Sequence, residues 1–530
     1  MGAGGGFSWK SFQQVPKTAL KPIIWLATIW ASHCGSLHGF NSSNISGAMD
    51  TSSFEHTFGW NQLTQRTIDN YEGWITSSML LGQTAGILIA GPIMESRGRK
   101  IVILLAAFTY TIGALLMSIN FGSLPQLLVG RIVSGLGSGL AYSGGPVYIS
   151  EVAPTELRGM MSTFYNAGIM SGVAGAYWIN FGASEVIAKT SDWQWRIAMI
   201  LQLIPSTILL IGFPYFPESP RYLMMRGRSE AARVSLSRLR GGLDENNSYF
   251  ALEWAELRSR VDHNAEGLGG WGVMKNFLTQ CYREAATRKI LVFVMLVQTF
   301  FIMSGGNSIT YYAPTILNSI GFDAEKVLLF TAVYGTIKFL SVFFYSFILT
   351  ERFGRRPLLL VGSSINLVCL IYIAAYLGKA DTSGNRSSAA AIIAVVAICV
   401  YAVGYGFGWA PAFSLTASEI CPTGVRGAVV TVAFTYQNLL NFGITRGFPN
   451  MTADMHPWGP FALFSACTFI GTVWVFFAFP ECKGRGMEST NEMFALPWYK
   501  LGFIPVAQAK PPSGTDDLEK DCSAQHKEAI

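Results

Sequence analysis

The stretch Ser150-Glu151-Val152-Ala153-Pro154-Thr155-Glu156-Leu157-Arg158-Gly159 returns later in the same chain as Ser418-Glu419-Ile420-Cys421-Pro422-Thr423-Gly424-Val425-Arg426-Gly427. Each copy closes an apolar, helix-length run with a Glu, a Pro turn and an Arg-Gly step. Two shorter stretches recur in the same order. Glu95-Ser96-Arg97-Gly98-Arg99-Lys100 reappears as Glu351-Arg352-Phe353-Gly354-Arg355-Arg356, and Phe216-Pro217-Glu218 as Phe479-Pro480-Glu481. Three motifs repeated in order, each about half a chain apart, mean a duplicated half.

Composition says what is duplicated. Of 530 residues, 50% are hydrophobic and only 13% charged, with a mean hydropathy of +0.35; soluble chains average about 25% charged. Runs of roughly 20 apolar residues can cross a hydrocarbon core about 30 Å thick. Twelve such runs are predicted, near residues 23–40, 74–94, 101–120, 127–149, 160–181 and 197–216, then 289–311, 327–349, 357–377, 391–417, 427–447 and 459–479. The fold class expected is an all-α integral membrane protein, twelve transmembrane helices in two pseudo-symmetric six-helix halves. The divisions are an N-terminal segment 1–22, a first bundle 23–216, a linker 217–288, a second bundle 289–479 and a tail 480–530.

Arg226, Arg228, Arg233, Arg238 and Arg240 cluster in the linker, and the positive-inside rule places it in the cytosol. With twelve spans both termini share that side, and a plasma-membrane location is the expectation. The linker pattern of Leu252, Trp254 and Leu257 predicts short amphipathic helices, and residues 41–72 a polar connection. The net charge of +6 belongs to these loops and implies no nucleic acid. Residues 1–19 lack an apolar h-region with a cleavage site, and position six is not Ser or Thr, which argues against myristoylation. The eight cysteines are scattered with no CxxC pair, so neither a metal nor a disulfide framework is expected. No nucleophile triad, paired-carboxylate or phosphate-loop pattern occurs, so no enzyme and no cofactor is expected. The sequons at Asn385 and Asn450 are placed in outside loops, that at Asn246 inside.

Gly91-Pro92-Ile93-Met94-Glu95-Ser96-Arg97-Gly98-Arg99-Lys100 resembles the loop motif of the major facilitator superfamily. Gly130-Arg131, Gly135-Leu136-Gly137-Ser138-Gly139 and Pro146-Val147-Tyr148-Ile149-Ser150-Glu151, with Pro217-Glu218-Ser219-Pro220-Arg221 and Pro480-Glu481-Cys482-Lys483-Gly484, narrow the resemblance to the sugar porter family. Within it the chain resembles the fungal-type permeases for monosaccharides, sugar acids or quinate. The resemblance implies two bundles rocking about a central site. It also implies a cytosolic gate of Arg–Glu pairs that latch the outward-open state, carried by Glu95, Arg99, Glu151, Arg158, Glu218, Arg221, Glu351, Arg355, Glu419, Arg426 and Glu481.

The departures bear on substrate. The first-helix position that is Asp in the bacterial xylose–proton symporter is Asn41 here, as in glucose facilitators. The fifth-helix Gln that touches sugar corresponds to Asn166. On helix 7 Gln298 and Asn307 survive, while the central Gln pair has become Phe301-Ile302. The tenth-helix Trp aligns with Ser414, and the paired Asn residues of helix 11 with Gln437 and Asn441. The substrate contacts implied are therefore Asn166, Gln298, Asn307, Lys338, Ser414, Gln437 and Asn441, with Phe301 as an apolar platform.

Lys338 replaces an Asn of the glucose facilitators on helix 8. At about 1.5 Å per residue it stands about 20 Å from Glu351, near mid-membrane, and Arg446 about 28 Å from Gly427. Arg131 lies at similar depth to Arg446, near Asn41, and no Asp or Glu lies deep in any span. An intramembrane charge costs about 2.5–3.5 kcal/mol or more and points to function. Two readings stay open for Lys338: it pairs with a substrate anion such as a uronic acid or quinate, or it snorkels or bonds backbone carbonyls. Two readings also stay open for Arg446, a site cation or an interfacial one. His33 and His38 either carry a proton or pack; His38, Asn41 and Arg131 are the coupling candidates. The expectation is a monomeric transporter of a monosaccharide or sugar-like polyol or acid, facilitative or proton-coupled, with bilayer and small molecule as its partners. The competing expectation is a non-transporting sugar sensor, against which the short tail after Pro497 argues.

Overall fold

In lipid every backbone N–H and C=O must be satisfied within the chain, which leaves a long apolar run only the helix. The structure is a computed structural model that describes residues 15–264, 270–349, 353–383, 388–410, 412, 420, 426–481, 494 and 497–503. Its long helices are α1 (Pro22–Met49), α2 (Gln65–Arg97), α3 (Arg99–Ser118), α4 (Leu124–Val152), α5 (Arg158–Val186), α6 (Trp193–Gly212), α7 (Ala285–Met303), α8 (Ala324–Phe344), α9 (Arg355–Ser383), α10 (Ser388–Phe407), α11 (Arg426–Asp454) and α12 (Gly459–Ala478). No strand occurs among the described residues. Helix α7 stops at Ser304, where Gly305 takes φ +85, and resumes as Gly306–Tyr311 and Ala313–Ile320.

The packing repeats as the sequence does. In the first half α4 lies on α2 and α3, α5 on α1, and α6 on α3. The equivalent pairs in the second half are α10 on α8 and α9, α11 on α7, and α12 on α9. The halves meet along α2–α11 and α5–α8, two seams exchanged by the duplication.

Eight of the twelve helices are long and apolar enough to cross a membrane by composition; α1, α4, α5 and α11 are not among them. The reason is their interior faces. Helix α1 buries Asn41, Ser42, Ser43, Asn44 and Ser46, and the polar atoms are met inside: Ser42 Oγ donates to the His38 carbonyl at 2.9 Å and Asn44 Nδ2 to the Ala198 carbonyl at 2.7 Å. Helix α4 comes so close to α2 that a Cβ at Gly135 or Gly139 would overlap the carbonyl oxygen of Met79 or Gln83. Those glycines are the spaced ones of the motif after Arg131.

Three expectations are corrected. Residues 41–72 are largely the ends of α1 and α2, because side-chain-to-carbonyl bonds carry the polar residues inside the helix. Asn450 sits within α11 and not in a loop. The linker does form helices, Pro220–Met225, Ser229–Leu239, Ser248–Asn264 and Gly270–Arg283, but Leu252 is exposed and Phe250 is the buried anchor. Beside it Arg240, one of the basic cluster, is buried, forks onto Glu253 at 2.5 and 2.8 Å, and donates to the Val152 carbonyl at 3.0 Å. Glu351, Ser414, Glu419 and the Asn385 sequon lie outside the described residues, as does the Arg426 side chain.

Candidate functional site

The repeated motifs build one device twice. A helix begins with backbone N–H groups that have no intrahelical partner, and a carboxylate there gains from the helix dipole. At α3 the Glu218 carboxylate accepts the Lys100 N–H at 3.1 Å and the Ser219 N–H at 2.8 Å. At α9 the Glu481 carboxylate accepts the N–H groups of Arg355 and Arg356, both at 3.1 Å. The residue before each helix is glycine at positive φ, Gly98 at +103 and Gly354 at +81. A Cβ on either would overlap the carboxylate it faces. Arg99 adds an ion pair to Glu151, its Nη2 donating to Oε1 at 2.9 Å, while Ser219 Oγ donates to Glu151 Oε2 at 2.5 Å. Burial lifts the Glu218 carboxyl above its ordinary range, with the Ser219 and Lys100 amides and Arg99 opposing and Glu151 adding to the lift.

Of the expected gate residues, the structure thus gathers Arg99, Glu151 and Glu218 in one cluster and Arg355 with Glu481 in another. Each cluster lies within its own half. The side chains of Glu95 and Arg221 are exposed and join neither, although the Glu95 carbonyl accepts from Arg226 at 2.8 Å. Arg158 is half-buried at the start of α5.

The far end, away from these motifs, carries polar contacts between the halves. Asn318 Nδ2 donates to Asp50 Oδ1 at 3.1 Å. Arg446 donates to the Asn70 side-chain oxygen and stands 4.8 Å from the centre of the Trp74 ring. Its backbone passes Gly73 so closely that a Cβ there would meet the Arg446 carbonyl at 2.8 Å. Arg446 is therefore a far-end bridge. Along the other seam Trp178 Nε1 donates to Thr336 Oγ1 at 2.8 Å.

Between the two ends lie two buried cations. Arg131 on α4 donates Nε–H to the Ile75 carbonyl at 3.0 Å and Nη2–H to the Thr76 carbonyl at 3.2 Å. Its Nη1 reaches the Asn41 carbonyl at 2.6 Å and Asn41 Oδ1 at 2.7 Å. Asn41 thus holds the cation as a neutral acceptor, with Ser134 Oγ donating to the same Oδ1 at 3.3 Å. His38, one turn earlier on α1, accepts at Nδ1 from Gln83 Nε2 at 3.1 Å and meets Tyr142 edge-on at 5.6 Å. His33 Nδ1 bonds the Ile29 carbonyl of its own helix at 2.8 Å.

Lys338 on α8 is 2% exposed. Its Nζ donates to Thr310 Oγ1, and lies 4.9 Å from the Tyr405 ring centre and 5.8 Å from that of Tyr334. Among the described residues no carboxylate pairs with it. Tyr405 gathers the neighbourhood: its hydroxyl donates to Asn307 Oδ1 at 3.2 Å, and the Phe301 ring stacks on it at 5.8 Å. Ile302 is buried beside Phe301, so the positions where the family has two amides are packed apolar surface. Asn441 Nδ2 donates to Tyr311 Oη at 3.1 Å. Gln298 and Gln437 are buried and Asn166 is half-buried on α5. The residues missed from sequence are Thr310, Tyr334 and Tyr405. Tyr334 had a signal, since it precedes Lys338 by four and shares its helix face. Thr310 and Tyr405 had none, because they arrive through the break in α7 and the packing of α10.

Two duplicated six-helix bundles around a buried polar centre define a secondary transporter of the major facilitator fold. The family profile described as "Sugar (and other) transporter" matches residues 27–494. The chain is 32% identical over 491 residues to a probable quinate permease of Aspergillus fumigatus, covering 90% of this chain and 89% of that one. It is 30% identical over 435 residues to sugar transport protein 7 of Arabidopsis thaliana, covering 82% and 80%. Its fold matches the xylose transporter XylE of E. coli in a partially occluded inward-open conformation, with a TM-score of 0.71 and 24% identity over 88% of this chain and all of that one. The chain belongs to the sugar transporter family and is a transporter of a sugar or a related compound, not an enzyme.

Proposed function

We propose that the chain moves a polyhydroxylated small molecule, of the sugar or quinate kind, by alternating access through the centre bounded by Asn41, Asn166, Asn307, Lys338, Gln437 and Asn441. The observation that carries this reading is the layout of contacts among the described residues: ion pairs and caps at the motif end, bridges between halves at the far end, polar side chains in the middle. That layout supports an inward-facing arrangement whose centre opens toward the basic linker. On this reading the motif end and both termini face the cytosol of a plasma-membrane protein working as a single chain, which the basic linker supports. The gate residues, on this reading, hold each half rigid as it rocks. Because Asn41 meets Arg131 as a neutral amide, the solute equilibrates and is not concentrated. His38 supports a second reading, proton symport, since this half-buried imidazole stands one turn from Asn41 with its Nδ1 on Gln83.

The test is uptake into proteoliposomes of a labelled panel of neutral sugars, quinate and sugar acids at two pH values, with and without a protonophore. Saturable, protonophore-insensitive uptake of at least one compound is expected. Concentrative uptake that collapses with the protonophore, and loses that sensitivity in His38→Gln, would replace facilitation by symport. No saturable uptake of any compound would overturn the transport reading of this site.

A further inference from the structure

An ammonium carries three donors and no acceptor. Lys338 has, among the described residues, one oxygen partner, the Thr310 hydroxyl, and two ring faces. Thr310 is itself engaged: its Oγ1 donates to the Gly306 carbonyl at 2.7 Å and meets the Tyr334 hydroxyl at 3.2 Å. Ring faces attract a cation without using its N–H groups directionally, so donor capacity on Nζ remains open. A buried charge left without a partner is costly, and such charges in proteins are paired or coordinated. Here the protein supplies the shell and leaves out the counter-charge.

The surroundings say what shape the counter-charge comes on. Tyr405 joins Lys338 on one side to the Asn307 amide, through its hydroxyl, and to the Phe301 face. The Asn307 amide, held by the Tyr405 hydroxyl, suits a hydroxyl, and the Phe301–Tyr405 stack suits the apolar face of a ring. The one charged donor beside them suits a carboxylate, because a charge-assisted bond is about twice as strong as a neutral one. The two amides replaced by Phe301 and Ile302 remove hydroxyl acceptors from the same wall.

We infer that Lys338 is the charge-selecting residue of the substrate site and that the preferred solute is a carboxylate-bearing polyol, its carboxylate on Nζ and its hydroxyls on the amides beyond Tyr405. This rests on the transport reading above. Thr310, Tyr334 and Tyr405 hold the ammonium while the site is empty, and the carboxylate completes its donors when the solute arrives.

The experiment uses the full chain in proteoliposomes and the matched pair D-galacturonate and D-galactose, which differ only in carboxylate against hydroxymethyl, with quinate as a second acid. The wild type is expected to prefer the acids. Lys338→Asn is expected to lower the ratio of acid to neutral uptake by more than tenfold, and Lys338→Arg to keep most of it. Thermal stabilisation of the detergent-purified protein by quinate provides a binding readout independent of transport, and should be lost in Lys338→Asn but not in Lys338→Arg. An unchanged ratio in Lys338→Asn, or a wild type that carries neutral sugars and ignores both acids, would overturn the inference and leave the transport reading standing. A wild type that carries nothing would remove both.

Discussion

Arg131 in the first half and Lys338 in the second are both buried cations, 1% and 2% exposed, and the protein treats them in opposite ways. Arg131 is closed off by backbone and amide oxygens from α1 and α2, every contact directional and within one half. Lys338 has a single hydroxyl and two ring faces, contributed by α7, α8 and α10. The halves share one scaffold, down to a glycine at positive φ under a capping carboxylate, so the contrast arises from the sites and not from the folds around them. A cation held by four directional oxygen contacts is architecture; one with a single oxygen contact, in a site lined by amides, waits for a ligand.

The largest effect expected from breaking that contrast is at Arg131. Arg131→Met deletes the four hydrogen bonds of the cation to the Asn41, Ile75 and Thr76 oxygens, and bonds to a charged group are worth about 1.5–3 kcal/mol each. The variant should lose all uptake, acid and neutral together, and unfold well below the wild type in a detergent melt. A variant that melts normally and changes only solute preference would make Arg131 a second Lys338.

Next in size are the paired caps. Gly98→Ala and Gly354→Ala each force a Cβ into a positive-φ position, at a cost of order 1–3 kcal/mol for the backbone alone, and push it onto Glu218 or Glu481. Similar drops in melting temperature are expected from both. A large drop from one and none from the other would show that the scaffold is not functionally repeated.

How much of this was legible in the sequence follows from what each feature depends on. The duplicated half and the helical runs were readable because the motifs recur in order and lipid leaves one backbone solution. That Glu218 and Glu481 cap helices was not: the recurrence shows that an Arg, a Gly and a Glu belong together, but which atom meets which depends on the turn at Gly98 or Gly354. Lys338 stood out as a mid-span charge, yet its holding group depends on Gly305 breaking α7 and turning Thr310 toward it. Arg240 was read as loop charge because its partner Glu253 comes 13 residues later, on the next linker helix, and meets it only when that helix docks.

A smaller effect sharpens the Arg131 side. Asn41 Nδ2 has no hydrogen-bond partner among the described residues. Asn41→Asp replaces that orphan donor by an acceptor and makes the bond to Arg131 charge-assisted, about twice as strong as a neutral one. The melting temperature should rise by a few degrees at neutral pH. A fall would mean that the first half cannot use a counter-charge where the second half lacks one.

The smallest effect concerns the far-end bridge between the halves. Burial and the neighbouring Glu55 raise the Asp50 carboxyl to about 7 against the lowering bond from Asn318. A carboxyl raised by closure holds its proton more tightly when closed, so its contribution to closure is full below the ordinary carboxylate range and fades as pH rises through about 7. Cysteine labelling of the centre from the far side should therefore increase modestly between pH 5 and pH 8. Asp50→Asn should flatten that dependence, and an unaltered slope would assign it to another group.

The most direct measurement is a cryo-EM map of the chain with quinate bound. The carboxylate is expected within hydrogen-bonding distance, about 3 Å, of Lys338 Nζ, with the ring against Phe301 and Tyr405 and with Arg131 still closed on Asn41. Quinate seated with its carboxylate on Arg131 or Arg446, and Lys338 still bonded only to Thr310, would contradict the account.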